Sequence, residues 1–289
     1  MMDFGHISTA MVTPFDTRGN IDLEKTKQLI DYLIANGTES LIIAGTTGES
    51  PTISVQEKLT LFRLAVEHVK KRVPVIVGTG SNNTEASIEL TKKATEIGVD
   101  GILLVAPYYN KPSQKGIYTH FKEIAAVTHL PIMLYNIPGR TGVNMTAETT
   151  IALSQIPNIV AMKEASGDLE QMATIIESTA EHFKVYSGDD SLTLLSLAIG
   201  SAGVVSVAAH VIGNEMQTMI QSFLKGDISK AAALHRQLLP IMKGMFIAPN
   251  PTSVKYALSL KGMNVGDVRL PLIPLTSAEK KQVEALFNK

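Results

Sequence analysis

A lysine at the end of an apolar run is the first residue in this sequence with chemistry in reach. Lys163 directly follows Ile159, Val160, Ala161 and Met162. Lysine is seldom buried without a partner. Burial disfavours the ammonium and lowers its pKa, and a neutral amine can attack a ketone to form a Schiff base. A plainer reading competes with this one: Lys163 could form an ion pair with a loop carboxylate such as Glu164.

Other candidates lie in segments of the same kind. Tyr135 ends the run PIMLYN (131–136). A hydrogen-bonded phenol can shuttle protons, although a core aromatic with a satisfied hydroxyl fits that position as well. Thr46 and Thr47 sit in GTTGES (45–50). Their hydroxyls and backbone amides can bind a carboxylate or relay a proton, and an ordinary tight turn has the same composition. Arg140 lies in a glycine-flanked loop just after Tyr135. Its guanidinium suits bidentate carboxylate binding, or it is a solvated surface charge. GTGSNN (78–83) begins like a dinucleotide fingerprint but lacks the third glycine, and no P-loop pattern occurs. Of the seven histidines only His210 closely follows a strand-like run. A catalytic metal, which needs gathered His and carboxylate ligands, is therefore not expected.

The elements that must position these residues alternate. Short β-rich runs occur at 7–13, 40–45, 73–78, 101–106, 131–136, 158–164, 184–188 and 203–207. Several are apolar at successive positions, as in strands buried on both faces of a parallel sheet. Helix signals fill the gaps. Asp22 caps a helix ending at Gly37, Ser54 and Glu57 stand at capping-box spacing, and Thr84 and Ser87 open a helix that stops at Gly98. Thr146, Asp168 and Asp190 open three more. Eight β–α units predict a closed (β/α)₈ TIM barrel, with an open sheet as the other arrangement. Beyond it, 209–225, 227–247, 252–261 and 276–288 read as helical, which divides the chain into a barrel over 1–225 and a C-terminal helical extension over 226–289. In such barrels the reacting groups sit at the C-terminal ends of strands, where Lys163, Tyr135, Thr46 and Thr47 all fall.

Bulk properties narrow the class. The 289 residues include 26 basic and 27 acidic side chains, for a formal charge of −1. That balance gives no reason to expect nucleic acid or an anionic membrane as partner. With no cysteine, disulfides and thiolate metal sites are excluded. No apolar run approaches a membrane span and no signal-peptide pattern opens the chain, so the expected compartment is the cytoplasm.

GTTGES (45–50), PYYNKPSQKG (107–116), YNIPGRTG (135–142), KEASGD (163–168) and SGDD (187–190) together resemble the dihydrodipicolinate synthase family. The likeness runs from AMVTPF at 10–15 to RLPLIPL at 269–275. The wider superfamily includes N-acetylneuraminate lyase and keto-deoxy-sugar acid aldolases, and GRTG after the tyrosine resembles the synthase branch. The resemblance implies condensation of pyruvate with L-aspartate 4-semialdehyde, without metal or organic cofactor. It implies that Lys163 forms the imine and that Tyr135 exchanges protons through a relay with Thr47 and Tyr109, the latter reaching in from a neighbouring subunit. Thr46 and Thr47 would hold the pyruvate carboxylate, with Val205 lining that pocket. Arg140 would bind the semialdehyde carboxylate, and Gly188 would lend backbone nearby. A homotetramer built as a dimer of dimers is implied as well. Lysine inhibition is expected to be weak or absent. The matching interface positions carry Val55, Lys58 and Ala86, although Asn82 and Tyr108 fit.

Overall fold

The computed structural model describes residues 4–288; Met1, Met2, Asp3 and Lys289 lie outside it. Eight parallel strands close on themselves in chain order, with the last paired to the first. They are β1 (Ile7–Ala10), β2 (Ser40–Ile43), β3 (Val75–Gly78), β4 (Gly101–Val105), β5 (Ile132–Asn136), β6 (Ile159–Glu164), β7 (Lys184–Ser187) and β8 (Gly203–Ser206). Every strand expected from the sequence is present, and closure rules out the open sheet.

The helices are α1 (Leu23–Ala35), α2 (Val55–Val69), α3 (Thr84–Ile97), α4 (Gln114–Ala125), the single turn α5 (Pro138–Thr141) and α6 (Ala147–Leu153). They continue as α7 (Leu169–Ser178), α8 (Thr193–Ala198), α9 (Ala209–Leu224), α10 (Ile228–Gly244), α11 (Thr252–Leu260) and α12 (Ser277–Ala285). Local chemistry sets their starts. Asp22 accepts from the Lys25 amide, and Ser54 and Glu57 form a reciprocal capping box. At α3 the cap is Asn83, not Thr84 or Ser87. Ser87 is buried and receives the Ser81 amide instead. Asp190 likewise opens no regular helix. A 3₁₀ turn capped by Asp189 precedes α8, and the Asp190 carboxylate turns inward.

Alternation along the strands makes two cores. Residues facing the helices, such as Leu41, Val77, Leu104, Leu134 and Met162, join the helical apolar faces in one large cluster. Residues facing the axis, among them Ala10, Ile42, Ile76, Leu103, Met133, Tyr135, Tyr186 and Val205, fill the barrel. The glycines of GTGSNN are packing residues. A Cβ on Gly78 would lie 2.4 Å from the Ala44 carbonyl, and one on Gly80 2.5 Å from the Val105 nitrogen.

The C-terminal helices share the larger core through Leu238, Met242, Val254, Leu258 and Val283. They also grip the loop after β2. Lys255 Nζ meets Glu49 Oε1 at 2.6 Å, with both side chains nearly fully buried. The Arg269 backbone amide donates to Glu49 Oε2, and its guanidinium pairs with Glu57 at the start of α2. Truncating one member of a buried pair strands the other charge. Lys255→Ala is therefore expected to lower the unfolding free energy in urea by about 3–5 kcal/mol, with most of that recovered when Glu49→Gln is added to Lys255→Met. A loss below about 1 kcal/mol would mean that the pair behaves like an exposed one.

Candidate active site

Lys163 faces the barrel axis because β6 carries one extra residue. Ile132 of β5 pairs with Ile159, but the next residue, Met133, pairs with Ala161, so Val160 bulges. Val160 and Ala161 both join the interior cluster. The bulge shifts the phase of the remaining strand by one. Lys163 thus lies beside Tyr135 on one side and Tyr186 on the other, while Glu164 is sent outward. That separation decides between the two readings of Lys163. Glu164 accepts from Asn136 Nδ2, the Ser166 amide and Gln171 Nε2 on the helix side of the sheet. Among the described residues no carboxylate lies within 4.0 Å of the Lys163 amine.

The amine is almost wholly enclosed, with 5% of the residue exposed. Its Nζ lies 4.2 Å from the centroid of the Tyr135 ring. Gly188 closes the other side; a Cβ there would come within 2.6 Å of Ala165 Cβ and 3.1 Å of Lys163 Cε. Burial lowers the amine from 10.5 to about 8, with the Asp190 charge opposing and Arg140 assisting. Asp190, which the sequence marks only as a helix opener, is the carboxylate whose charge acts on this amine. It is buried, with its own pKa raised by burial, and it accepts from Ser206 Oγ and the amides of Val207 and Ala208. Those bonds fix the turn from β8 into α9.

The Tyr135 phenol is pushed up to about 12 by burial, against a hydrogen bond from Thr46 and the charge of Arg140. The hydroxyl beside Tyr135 is therefore that of Thr46. Thr47, expected in that relay, turns instead toward the C-terminal extension, and its Oγ1 accepts from Asn250 Nδ2 at 2.9 Å. Adjacent residues in a tight turn point apart, and the spelling GTTG does not say which threonine points where. Asn250 lies 203 positions away, and no local pattern marked it.

A cavity of about 400 Å³ opens at the C-terminal ends of β2 to β5. Thr46, Tyr108, Tyr135 and Arg140 line it together with Lys58. Arg140 is exposed and forms no ion pair among the described residues. Val205 is buried on the interior wall. Tyr109 is not in the site of its own chain. It is 88% exposed, with its backbone at φ +72°. His210 is a structural residue. The Val12 amide donates to its Nε2, so Nδ1 carries the proton and donates to the Val207 carbonyl.

The family model described as the dihydrodipicolinate synthetase family matches residues 3–289. The chain is 62% identical over 287 residues to the 4-hydroxy-tetrahydrodipicolinate synthase 2 of Halalkalibacterium halodurans, covering 99% of this chain and 98% of that one. A crystal structure of dihydrodipicolinate synthase from Bacillus anthracis superposes with a TM-score of 0.98 at 59% identity, covering 99% and 98% of the two chains. That of the Cyanidioschyzon merolae enzyme with lysine bound gives 0.97 at 48%, covering 98% and 97%. By sequence over its whole length and by its closed barrel, this chain belongs to the dihydrodipicolinate synthetase family.

Proposed function

We propose that this protein condenses pyruvate with L-aspartate 4-semialdehyde to give 4-hydroxy-tetrahydrodipicolinate, through a Schiff base on Lys163. The observation that carries the reading is a buried lysine amine with no carboxylate within ion-pair distance among the described residues, beside a buried tyrosine that lines the cavity at the C-terminal end of the barrel. The neutral amine adds to the pyruvate keto carbon, and loss of water leaves a cationic imine. That cation draws electrons from the neighbouring methyl group, which loses a proton to become an enamine. The enamine carbon then attacks the aldehyde of the second substrate. The nitrogen acts as the electron sink, so the step requires no further cofactor.

Tyr135 keeps its proton at neutral pH because its pKa stands near 12. It would act as a shuttle, giving a proton to the departing oxygen and regaining one through Thr46. Thr47 and the backbone around it would hold the pyruvate carboxylate against Val205. Arg140, unpaired at the cavity mouth, suits the carboxylate of the semialdehyde. Gly188 keeps the space beside the lysine stem clear. The strained, exposed Tyr109 is read as the contribution of a neighbouring copy, in a homotetramer of two dimers working in the cytoplasm. Among the described residues no helix is long and apolar enough to cross a membrane. Lys58 in the cavity wall would repel a lysine ammonium, which favours weak feedback or none. The relatives near 60% identity bear the synthase name, which weighs against a sugar-acid lyase.

Borohydride reduction in the presence of pyruvate is expected to add a three-carbon unit to the peptide holding Lys163, with no adduct in Lys163→Met. Aspartate semialdehyde should be turned over and sialic acid left intact. An adduct on another residue, or none, contradicts the reading. The same substitution tests the burial of the amine. The folded pKa lies below the unfolded one, so the native state binds fewer protons. Lys163 then destabilises the fold fully below pH 8, and the penalty fades by pH 10.5. Lys163→Met should be more stable than the parent at pH 7, by up to roughly 3 kcal/mol, with the gap closing above pH 8. Equal melting temperatures across that range would contradict the burial. Tyr135→Phe should cost roughly 10²–10⁴ in turnover, and near-normal rates would remove the shuttle role.

A further inference from the structure

The C-terminal extension touches the loop GTTGES at two places. One is at Glu49, which pairs with Lys255 and accepts from the Arg269 backbone amide. The other is Asn250, in the turn between α10 and α11, whose Nδ2 donates to Thr47 Oγ1. Asn250 is 8% exposed and Thr47 2%, so water does not compete for the bond.

A threonine hydroxyl has one hydrogen to give and can accept as well. Here its oxygen already accepts from the amide of Asn250. The Asn250 Oδ1 is buried without a hydrogen-bond partner among the described residues, so Thr47 does not spend its hydrogen there. Turning the amide over would give the Thr47 hydrogen to Oδ1 and leave the buried NH2 without a partner in its place; the orientation present is the one that frees the Thr47 hydrogen for another acceptor. Among the described residues no other hydrogen bond takes that hydrogen.

We propose that Asn250 is a positioning residue that makes Thr47 a one-way donor to the pyruvate carboxylate. The proposal rests on the reading of Thr47 as a contact of that carboxylate. It gives the C-terminal extension a part in substrate binding: the extension sets the direction of a hydroxyl that sits on the barrel.

The test is a double-mutant cycle of Asn250→Ala and Thr47→Val, read as KM for pyruvate and kcat. Asn250→Ala is expected to raise KM for pyruvate roughly three- to tenfold, with kcat and the KM for aspartate semialdehyde within about twofold of the parent. Adding it to Thr47→Val should change nothing further, because it acts through that hydroxyl. Asn250→Asp keeps the shape but can only accept. It would take the Thr47 hydrogen and place a negative charge near the carboxylate, so its KM should rise more than that of the alanine variant. If Asn250→Ala does not fold, Asn250→Leu, which keeps the volume and removes the donor without adding a charge, takes its place in the cycle. Unchanged KM for pyruvate in the Asn250 variants, or effects that multiply in the double mutant, would overturn the proposal while a raised KM in Thr47→Val leaves the reading of Thr47 standing. An unchanged KM in Thr47→Val would remove both.

Discussion

An amine inside a protein must either find a counter-charge or give up its proton, because an isolated buried charge is too costly to keep. Lys163 has no counter-charge within ion-pair distance among the described residues. The barrel arranges this with its own backbone. One extra residue in β6 turns Lys163 inward and Glu164 outward, and Glu164 then spends its oxygens on Asn136, Ser166 and Gln171. Against the lysine stand a tyrosine ring and a glycine, and that tyrosine lines the open cavity. The charge of Asp190 opposes the drop in pKa from a distance, and the amine settles at about 8: still mostly protonated at pH 7, but with a neutral, nucleophilic fraction that a lysine at 10.5 does not offer.

A second buried lysine shows what the other solution looks like. Lys255 is as enclosed as Lys163, at 4% against 5% exposed. It has Glu49 at 2.6 Å and also donates to the Asp267 carbonyl. Burial lowers its pKa as well, with the Glu49 charge resisting. That lysine is structural: it fixes the far end of the loop that presents Thr46 and Thr47. One fold thus holds a paired lysine that anchors the site and an unpaired one that is free to react. The same loop carries strain, with left-handed backbone at Ala44 and Glu49. The contacts from Asn250, Lys255 and Arg269 hold it in place.

Much of this was legible in the sequence. The eight apolar runs, the caps at Asp22, Ser54, Thr146 and Asp168, and the barrel they imply rest on local periodicity and local hydrogen bonding. Lys163 and Tyr135 stood out because polar groups ending buried strands are rare. Their adjacency across β5 and β6 was not legible, because it depends on a bulge at Val160 that no residue type announces. Nor could the loop spelling say that Thr46 rather than Thr47 faces Tyr135. Asp190 read as a helix cap, since an Asp before an apolar run has that meaning far more often than an inward-facing one. Asn250 was invisible for a different reason. Its partner is 203 residues away, and only the closed fold brings the two together.

The account turns on the protonation state of one amine, so the most direct measurement is its titration. Nitrogen or ε-carbon NMR of lysine-labelled protein, with the signal assigned by its loss in Lys163→Met, would follow that group alone from pH 6 to 11. A midpoint near 8 is predicted. A midpoint at or above 10.5, the ordinary lysine value, would mean that the amine is solvated or paired, and the chemistry assigned to it would not hold.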